Sequence, residues 1–322
     1  TTPKLFRLRC QTLGKRTAHR EKTLGIWRSY SWDDYFKSAK NLGLGLVSLG
    51  LKRGDVVSIL SEDSKEWMYT DMGVQCVGGI CSGAYTTDSG SQLEYLVNNS
   101  DSRFLFVEND QQLDKFLQVQ DKMPGLVKVI ILKRQGLCGF KDPKFMFLED
   151  LYTLGAEFDA AHPQAFDDSI DLTKPGETAI LVYTSGTTGK PKGAMISHGN
   201  LIYSVAAGLR DAATFDTDDQ LCFLPLCHIL ERLFSVNAPI AAASTINFSE
   251  SPETVFDNLQ EVSPQTFVAV PRLWEKIYSR VAIRVGEATA LQKWAYKQAV
   301  EAGRLRADCL AKGKPLPFIV SL

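Results

Sequence analysis

Eleven consecutive residues hold most of the chemistry that can be read from this chain: Tyr183, Thr184, Ser185, Gly186, Thr187, Thr188, Gly189, Lys190, Pro191, Lys192 and Gly193. Glycines at 186, 189 and 193 let a backbone turn sharply and approach a ligand closely, and the amides of such turns form an anion-binding concavity. The hydroxyls of Thr184, Ser185, Thr187 and Thr188 add donors suited to phosphate oxygens, and Lys190 and Lys192 add positive charge. By composition the segment is a phosphate cradle, although a solvated surface turn can share that composition. It is not the common nucleoside-triphosphatase loop, which requires Gly-x-x-x-x-Gly-Lys-[Ser/Thr]. Here two residues separate Gly186 from Gly189, Pro191 follows Lys190, and the chain runs on into the strand-like "GAMIS" rather than into a helix whose dipole would hold a phosphate. A dinucleotide fold is excluded as well, because "GLGLVSLG" (43–50) lacks the third glycine and falls inside a helical pattern.

The order of the residues decides between cradle and turn. "YTSGTTGKPKG" resembles the signature loop of the adenylate-forming superfamily, which includes acyl-CoA synthetases, luciferases and the adenylation domains of peptide synthetases. "GDVVSILSEDSKEW" (54–67) is similar to an early strand-turn-helix of these enzymes. "LPLCHILER" (224–232) is similar to the segment forming their acyl-side wall, and "FVAVPRLWEKI" (267–277) to a segment typical of the long-chain and bubblegum-like fatty acyl-CoA synthetases. The resemblance runs along nearly the whole chain. It implies an α/β fold, the large N-terminal domain of an adenylate-forming enzyme, with two stacked parallel-type sheets and helices between and around them.

The resemblance also implies a reaction. A carboxylate attacks the α-phosphate of ATP, pyrophosphate leaves, and the thiol of coenzyme A then takes the acyl group from the adenylate. Thr184, Ser185, Gly186, Thr187, Thr188, Gly189 and Lys192 are implied as triphosphate contacts, with Thr184 also a magnesium contact, whereas Lys190 stands where the family pattern varies. His228 matches a position at the acyl pocket near the reacting carboxylate; read without the family it is a partly buried helix-start histidine. The expected ligands are ATP, Mg2+, a long-chain fatty acid and coenzyme A. The adenine-binding strand, the ribose aspartate, the β-barrel subdomain and the small C-terminal domain with its catalytic lysine have no counterpart here. The expectation is therefore an incomplete adenylation domain over 1–322, part of a longer ligase and poorly active alone. A ligase for aryl or shorter acids and a noncatalytic nucleotide- or acyl-binding remnant are the alternatives.

The bulk properties agree with a small-molecule enzyme. Lys plus Arg number 36 against 37 for Asp plus Glu, so no global positive field is available to hold a nucleic acid. Seven cysteines without a Cys-x-x-Cys pair sit mostly in apolar stretches and read as buried thiols of a reducing compartment. No stretch reaches the roughly 18 apolar residues of a membrane-spanning helix, and the N-terminus lacks a signal peptide's apolar core. Cytoplasmic residence is expected, with peripheral contact at a membrane surface compatible with acyl substrates.

These residues need a scaffold. Ser31 is a helix cap ahead of an apolar repeat at Trp32, Tyr35, Phe36, Ala39, Leu42 and Leu46 that Gly50 closes. Short apolar runs at 54–60, 79–85, 103–108 and 126–132 alternate with helical segments, the pattern of strands buried on both faces of a parallel sheet. Residues 156–177 are expected as a connecting segment between α/β subregions 30–155 and 178–322. Strands are expected at 178–184, 193–197, 220–226, 244–249 and 265–270, helices at 197–210 and 252–262, and a long helix from Arg272 to about Lys312. Glu231 and Arg232 read as a polar pair at a helix surface, Trp274 as a core residue and His198 as a helix-start residue; His19 and His162 carry no assigned role.

Overall fold

The computed structural model describes residues 1–137, 139, 142–184 and 190–317, which group into two compact units, Thr1–Phe267 and Val268–Leu322. The first unit opens with helix α1 (Thr2–Leu13), which buries Phe6 and Cys10, and the hairpin β1 (Thr17–Thr23) and β2 (Ile26–Ser31). Neither was expected before residue 30. Helix α2 (Trp32–Ser48) then starts at a reciprocal cap: Asp34 N–H donates to Ser31 Oγ at 3.1 Å and Ser31 N–H to Asp34 Oδ2 at 2.8 Å.

The expected alternation follows, with β3 (Val56–Leu60), α3 (Lys65–Cys76), β4 (Ile80–Ala84), α4 (Gly90–Asn99), β5 (Ser102–Val107), α5 (Asp110–Leu117), β6 (Lys128–Ile131) and β7 (Phe145–Phe147). The stretch read as a connecting segment is helical instead: α6 (Leu148–Ala161) runs into it and α7 (Ala165–Leu172) lies within it. Its Ala, Asp and Gly content hid two contacts. Phe166 and Ile170, four residues apart, are buried while Arg7 pairs with Asp167 at 3.0 Å, and a Cβ on Gly155 would overlap the carbonyl oxygen of Asn41, so α6 lies backbone-close on α2.

Next come β8 (Thr178–Thr184), β9 (Lys192–Ser197), α8 (His198–Asp211) and β10 (Asp219–Cys222). The run expected as a strand over 220–226 stops at Cys222. Helix α9 (Ile229–Glu231) continues through a π-helical segment (Arg232–Asn237) into α10 (Ala238–Ala242), and β11 (Thr245–Phe248) and α11 (Val255–Val262) follow. Residues 265–270 form no strand; a lone bridge joins Gln220 and Thr266.

Two sheets result. The larger has the order β7-β6-β5-β3-β4-β8-β9, parallel except for the antiparallel edge pair β8–β9. The smaller, β10-β11-β1-β2, is parallel at β10–β11–β1 and closed by the β1–β2 hairpin. Val57, Ile59 and Cys81 from the large sheet and Ile246 and Phe248 from the small one share a single apolar cluster with Phe6, Trp32, Tyr35 and Trp67, so α1, α2 and α3 fill the space between the sheets. A second cluster packs Leu93, Leu96 and Val97 of α4 and Leu113 and Phe116 of α5 on the large sheet's other strand residues, including Leu105 and Val107. Strands covered on both sides need no polar alternation, which is why β3 is buried at every position.

In the second unit the single long helix expected from Arg272 is two helices, α12 (Pro271–Glu287) and α13 (Ala290–Ala311). Thr289 breaks the run because its side chain caps the amide of Gln292 and Gln292 returns the bond at 2.9 Å, a Thr-x-x-Gln box visible in the sequence. Trp274, expected in a core, is 50% exposed, and its indole N–H donates to the carbonyl of Ala269.

Candidate functional site

The phosphate-cradle sequence joins β8 to the edge strand β9. Thr184 and Lys192 are register partners in this antiparallel pair, which brings the two ends of the segment side by side. Ser185, Gly186, Thr187, Thr188 and Gly189, five of the seven expected triphosphate contacts, lie outside the described residues. The limb that returns to β9 is held by α4: Tyr95 OH donates to the carbonyl of Pro191 at 2.8 Å, and Lys190 Nζ sits 5.0 Å from the centre of the Tyr95 ring. Tyr183 OH donates to Asn99 Oδ1 at 2.8 Å from the β8 side. Tyr95 and Asn99 are four residues apart, hence on one face of α4.

Between these elements opens a cleft of about 1110 Å3, lined among others by Thr184, Lys190, Tyr95, Tyr183, Tyr85 and His228. Thr184 and His228, distant in sequence, therefore share one cavity. Lys192 is exposed at the start of β9 and is not among the cleft-lining residues. The exposed Thr184 hydroxyl is a hard oxygen donor of the kind Mg2+ accepts, and no group of three or more His, Cys, Asp or Glu able to hold a metal exists among the described residues. Thr184 thus offers one hydroxyl ligand of the kind a triphosphate-bound magnesium ion accepts.

His228 is exposed and caps α9, its Nδ1 accepting from the amide of Leu230 at 3.2 Å. In the neutral ring that bond leaves the hydrogen on Nε2 as a donor. Three contacts fix the turn that carries it. Leu226 N–H donates to Asp63 Oδ1 at 2.9 Å, His228 N–H donates to the carbonyl of Pro225 at 2.8 Å, and Gly83 of β4 lets the turn press in. A Cβ on Gly83 would stand 2.6 Å from the Cys227 Cβ. Burial pushes the Asp63 carboxyl well above its ordinary range, and the neighbouring Glu231 pushes it the same way.

The expected surface pair Glu231–Arg232 is buried instead, at 2% and 0% exposure. Glu231 Oε1 accepts from Ser235 Oγ at 2.6 Å, and burial raises its carboxyl to about 7. Arg232 ion-pairs with Asp71 of α3, and its guanidinium lies 4.8 Å from the centre of the Trp67 ring. A sequence signal for Asp71 existed: it is the lone acid of an otherwise apolar run, "WMYTDMGV", and a carboxylate there needs a partner. Tyr95, Asp63 and Gly83 had no comparable signal. His198 is the first residue of α8, as expected, and is buried.

A parallel sheet with an antiparallel edge hairpin, a Gly/Ser/Thr/Lys connection at that edge and a cleft beside it define the class. The chain belongs to the AMP-binding enzyme family, which matches residues 6–317. Among curated relatives it is 31% identical over 300 residues to the long-chain-fatty-acid–CoA ligase ACSBG2 of Homo sapiens, covering 92% of this chain and 44% of that protein. It is 31% identical over 288 residues to ACSBG1 of Bos taurus, covering 87% of this chain and 39% of that one. The chain thus spans less than half the length of these relatives. Its fold is that of solved adenylate-forming enzymes. It superposes on an anthranilate CoA ligase, AuaEII, crystallised with anthranoyl-AMP, at a TM-score of 0.72 and 18% identity, over 83% of this chain and 49% of that one. It superposes on a long-chain-fatty-acid–CoA ligase from Archaeoglobus fulgidus at a TM-score of 0.68 and 18% identity, over 82% and 50%.

Proposed function

We propose that this chain is the ATP- and acid-binding part of a ligase that activates a long-chain fatty acid as its adenylate and transfers the acyl group to coenzyme A. The observation that carries this reading is the shared cleft: Thr184, at the mouth of the phosphate-cradle segment, and His228, at the matched acyl-side position, line one cavity. The long-chain substrate is supported by the similarity to long-chain-fatty-acid–CoA ligases along 92% of the chain.

The physical difficulty in the first step is bringing an anionic carboxylate to a polyanion. In this reading Thr184, Ser185, Gly186, Thr187, Thr188, Gly189 and Lys192 donate to the triphosphate, and Lys192 reaches it from the first position of β9. The Nε2 hydrogen of His228 donates to the acid's carboxylate and sets its approach. The Thr184 hydroxyl would help hold Mg2+, which would supply neutralisation of negative charge on the leaving pyrophosphate. Coenzyme A is the acyl acceptor. Among the described residues no helix is long and apolar enough to cross a membrane.

Titration of the chain with a nonhydrolysable ATP analogue plus Mg2+ tests the nucleotide side. Thr184→Ala and Lys192→Ala should each weaken binding by about tenfold, the loss of one charge-assisted or metal-linked contact. Equal affinity in both variants would remove the assignment. ATP–pyrophosphate exchange by the gene product containing this sequence, with palmitate compared against benzoate and butyrate, tests the acid class; a preference for benzoate or butyrate refutes the long-chain substrate.

A further inference from the structure

The π-helical segment that begins at Arg232 sits four residues after His228 and carries a charge that packing alone does not explain. Arg232 and Asp71 are both at 0% exposure. Asp71 Oδ1 accepts from Arg232 Nη2 and, at 2.8 Å, from Gln75 Nε2, so α3 supplies both the counter-charge and the group that orients it. Trp67 of α3 lies under the guanidinium and the Cys81 thiol of β4 stands beside it. Among the described residues, Arg232 Nε and Nη1 and Asp71 Oδ2 find no oxygen or nitrogen partner.

A charge pair removed from water and left with such orphaned atoms is no more stabilising than apolar side chains of similar volume. What it provides instead is direction, because a guanidinium–carboxylate bond fixes distance and angle where apolar contact does not. The backbone relays that constraint: Arg232 N–H donates to the His228 carbonyl at 3.1 Å, and Asn237 Nδ2 donates to the Arg232 carbonyl at 2.9 Å across the widened turn. π segments inside α-helices are frequent at functional sites.

We infer that Arg232, tied to Asp71, is a positioning residue that sets where His228 stands on the cleft wall and thereby how tightly the carboxylate end of the acid is held. The functional half rests on the reading of His228 as an acyl-side residue; the mechanical half does not.

The test uses the whole chain with Arg232→Met and Asp71→Leu combined, which refills the volume with apolar groups and leaves no lone buried charge. The double variant should melt cooperatively at or above the wild-type temperature. Hydrogen exchange at the His228 and Leu230 amides should be faster by about tenfold or more while the α3 amides are unchanged. Binding of a fluorescent long-chain fatty acid should weaken by about tenfold, with the ATP analogue within about twofold. Unchanged exchange at 228 and 230, or wild-type affinity for the fatty acid in a folded double variant, overturns the inference. A wild-type chain that binds the ATP analogue but no fatty acid would instead remove the acyl reading of His228, and the exchange measurement alone would then judge the positioning. If the double variant does not fold, Arg232→Lys, which keeps the charge and loses the planar fork, should shift both readouts in the same direction, and no shift in either refutes the proposal.

Discussion

Glu231 offers the most decisive test of the buried polar layer behind the cleft. Its carboxyl, 2% exposed, is raised by burial from the ordinary glutamate value of 4.5 to about 7. Below pH 4.5 the group is protonated in both folded and unfolded chains and contributes no difference. Between 4.5 and 7 the unfolded chain releases the proton while the folded chain keeps it, so the folded state binds more protons and stability falls as pH rises. Above 7 the folded group is ionised as well and the penalty stays constant. The interval between the two values corresponds to about 3 kcal/mol. Glu231→Gln retains an oxygen to accept from Ser235 Oγ and removes the titration. Urea unfolding of both proteins at pH 5 and at pH 8 should therefore show a small difference at pH 5 and a variant more stable by about 2–3 kcal/mol at pH 8. Asp63, whose carboxyl is raised by burial and by Glu231, adds a slope of the same sign to both proteins, and loss of the Glu231 charge reduces that slope, so the coupled change acts in the predicted direction. A variant less stable than wild type at pH 8, or a difference that does not grow between the two pH values, would show that Glu231 is held as an ion by its neighbours and that burial does not govern it.

Three further outcomes follow from single sites. Gly83→Ala forces a Cβ to within 2.6 Å of the Cys227 Cβ, so it should cost about 1–3 kcal/mol in thermal unfolding and move the His228 turn, seen as weaker fatty acid binding with ATP-analogue binding retained. Ser31→Ala removes the reciprocal cap of α2 and should lower stability by about 1 kcal/mol in urea unfolding without altering ligand binding. His19 is buried among the rings of Tyr35, Tyr69 and Phe248, and burial lowers its imidazole to about 3. The unfolded chain gains a proton there below about pH 6.5 and the folded chain does not, so stability falls with acid. His19→Phe should flatten the acid limb of the stability profile between pH 6.5 and pH 4, and an unchanged limb would place the acid sensitivity elsewhere.

The elements that sequence periodicity revealed are those whose stabilising contacts repeat along the chain. The helix α2 announced itself because Tyr35, Ala39, Leu42 and Leu46 point into one core from a capped start, and β3, β5 and β6 because each is a short apolar run buried on both faces. The helix α7 was hidden: its eight residues hold two buried positions, and its ion pair is with Arg7, 160 residues away from Asp167. Residues 265–270 show the opposite error, a strand-like composition at a place where just one bridge to Gln220 forms. The same distinction governs the site. The phosphate-cradle segment is contiguous and its chemistry can be read in order, whereas Tyr95, Asp63, Gly83 and Asp71 act on the cleft through partners 96, 163, 144 and 161 positions away in Pro191, Leu226, Cys227 and Arg232. Residues that touch a ligand can be found from local chemistry, but those that aim them are visible only once the sheet order β3-β4-β8 brings α3, α4 and the His228 turn to the same end of the sheet. A substitution scan ranked by sequence motif would therefore miss the aiming residues. A scan ranked by buried polar contacts to the two cleft-lining segments would place Asp71 and Asp63 beside Thr184, with losses confined to acid binding for the aspartates and to nucleotide binding for the threonine.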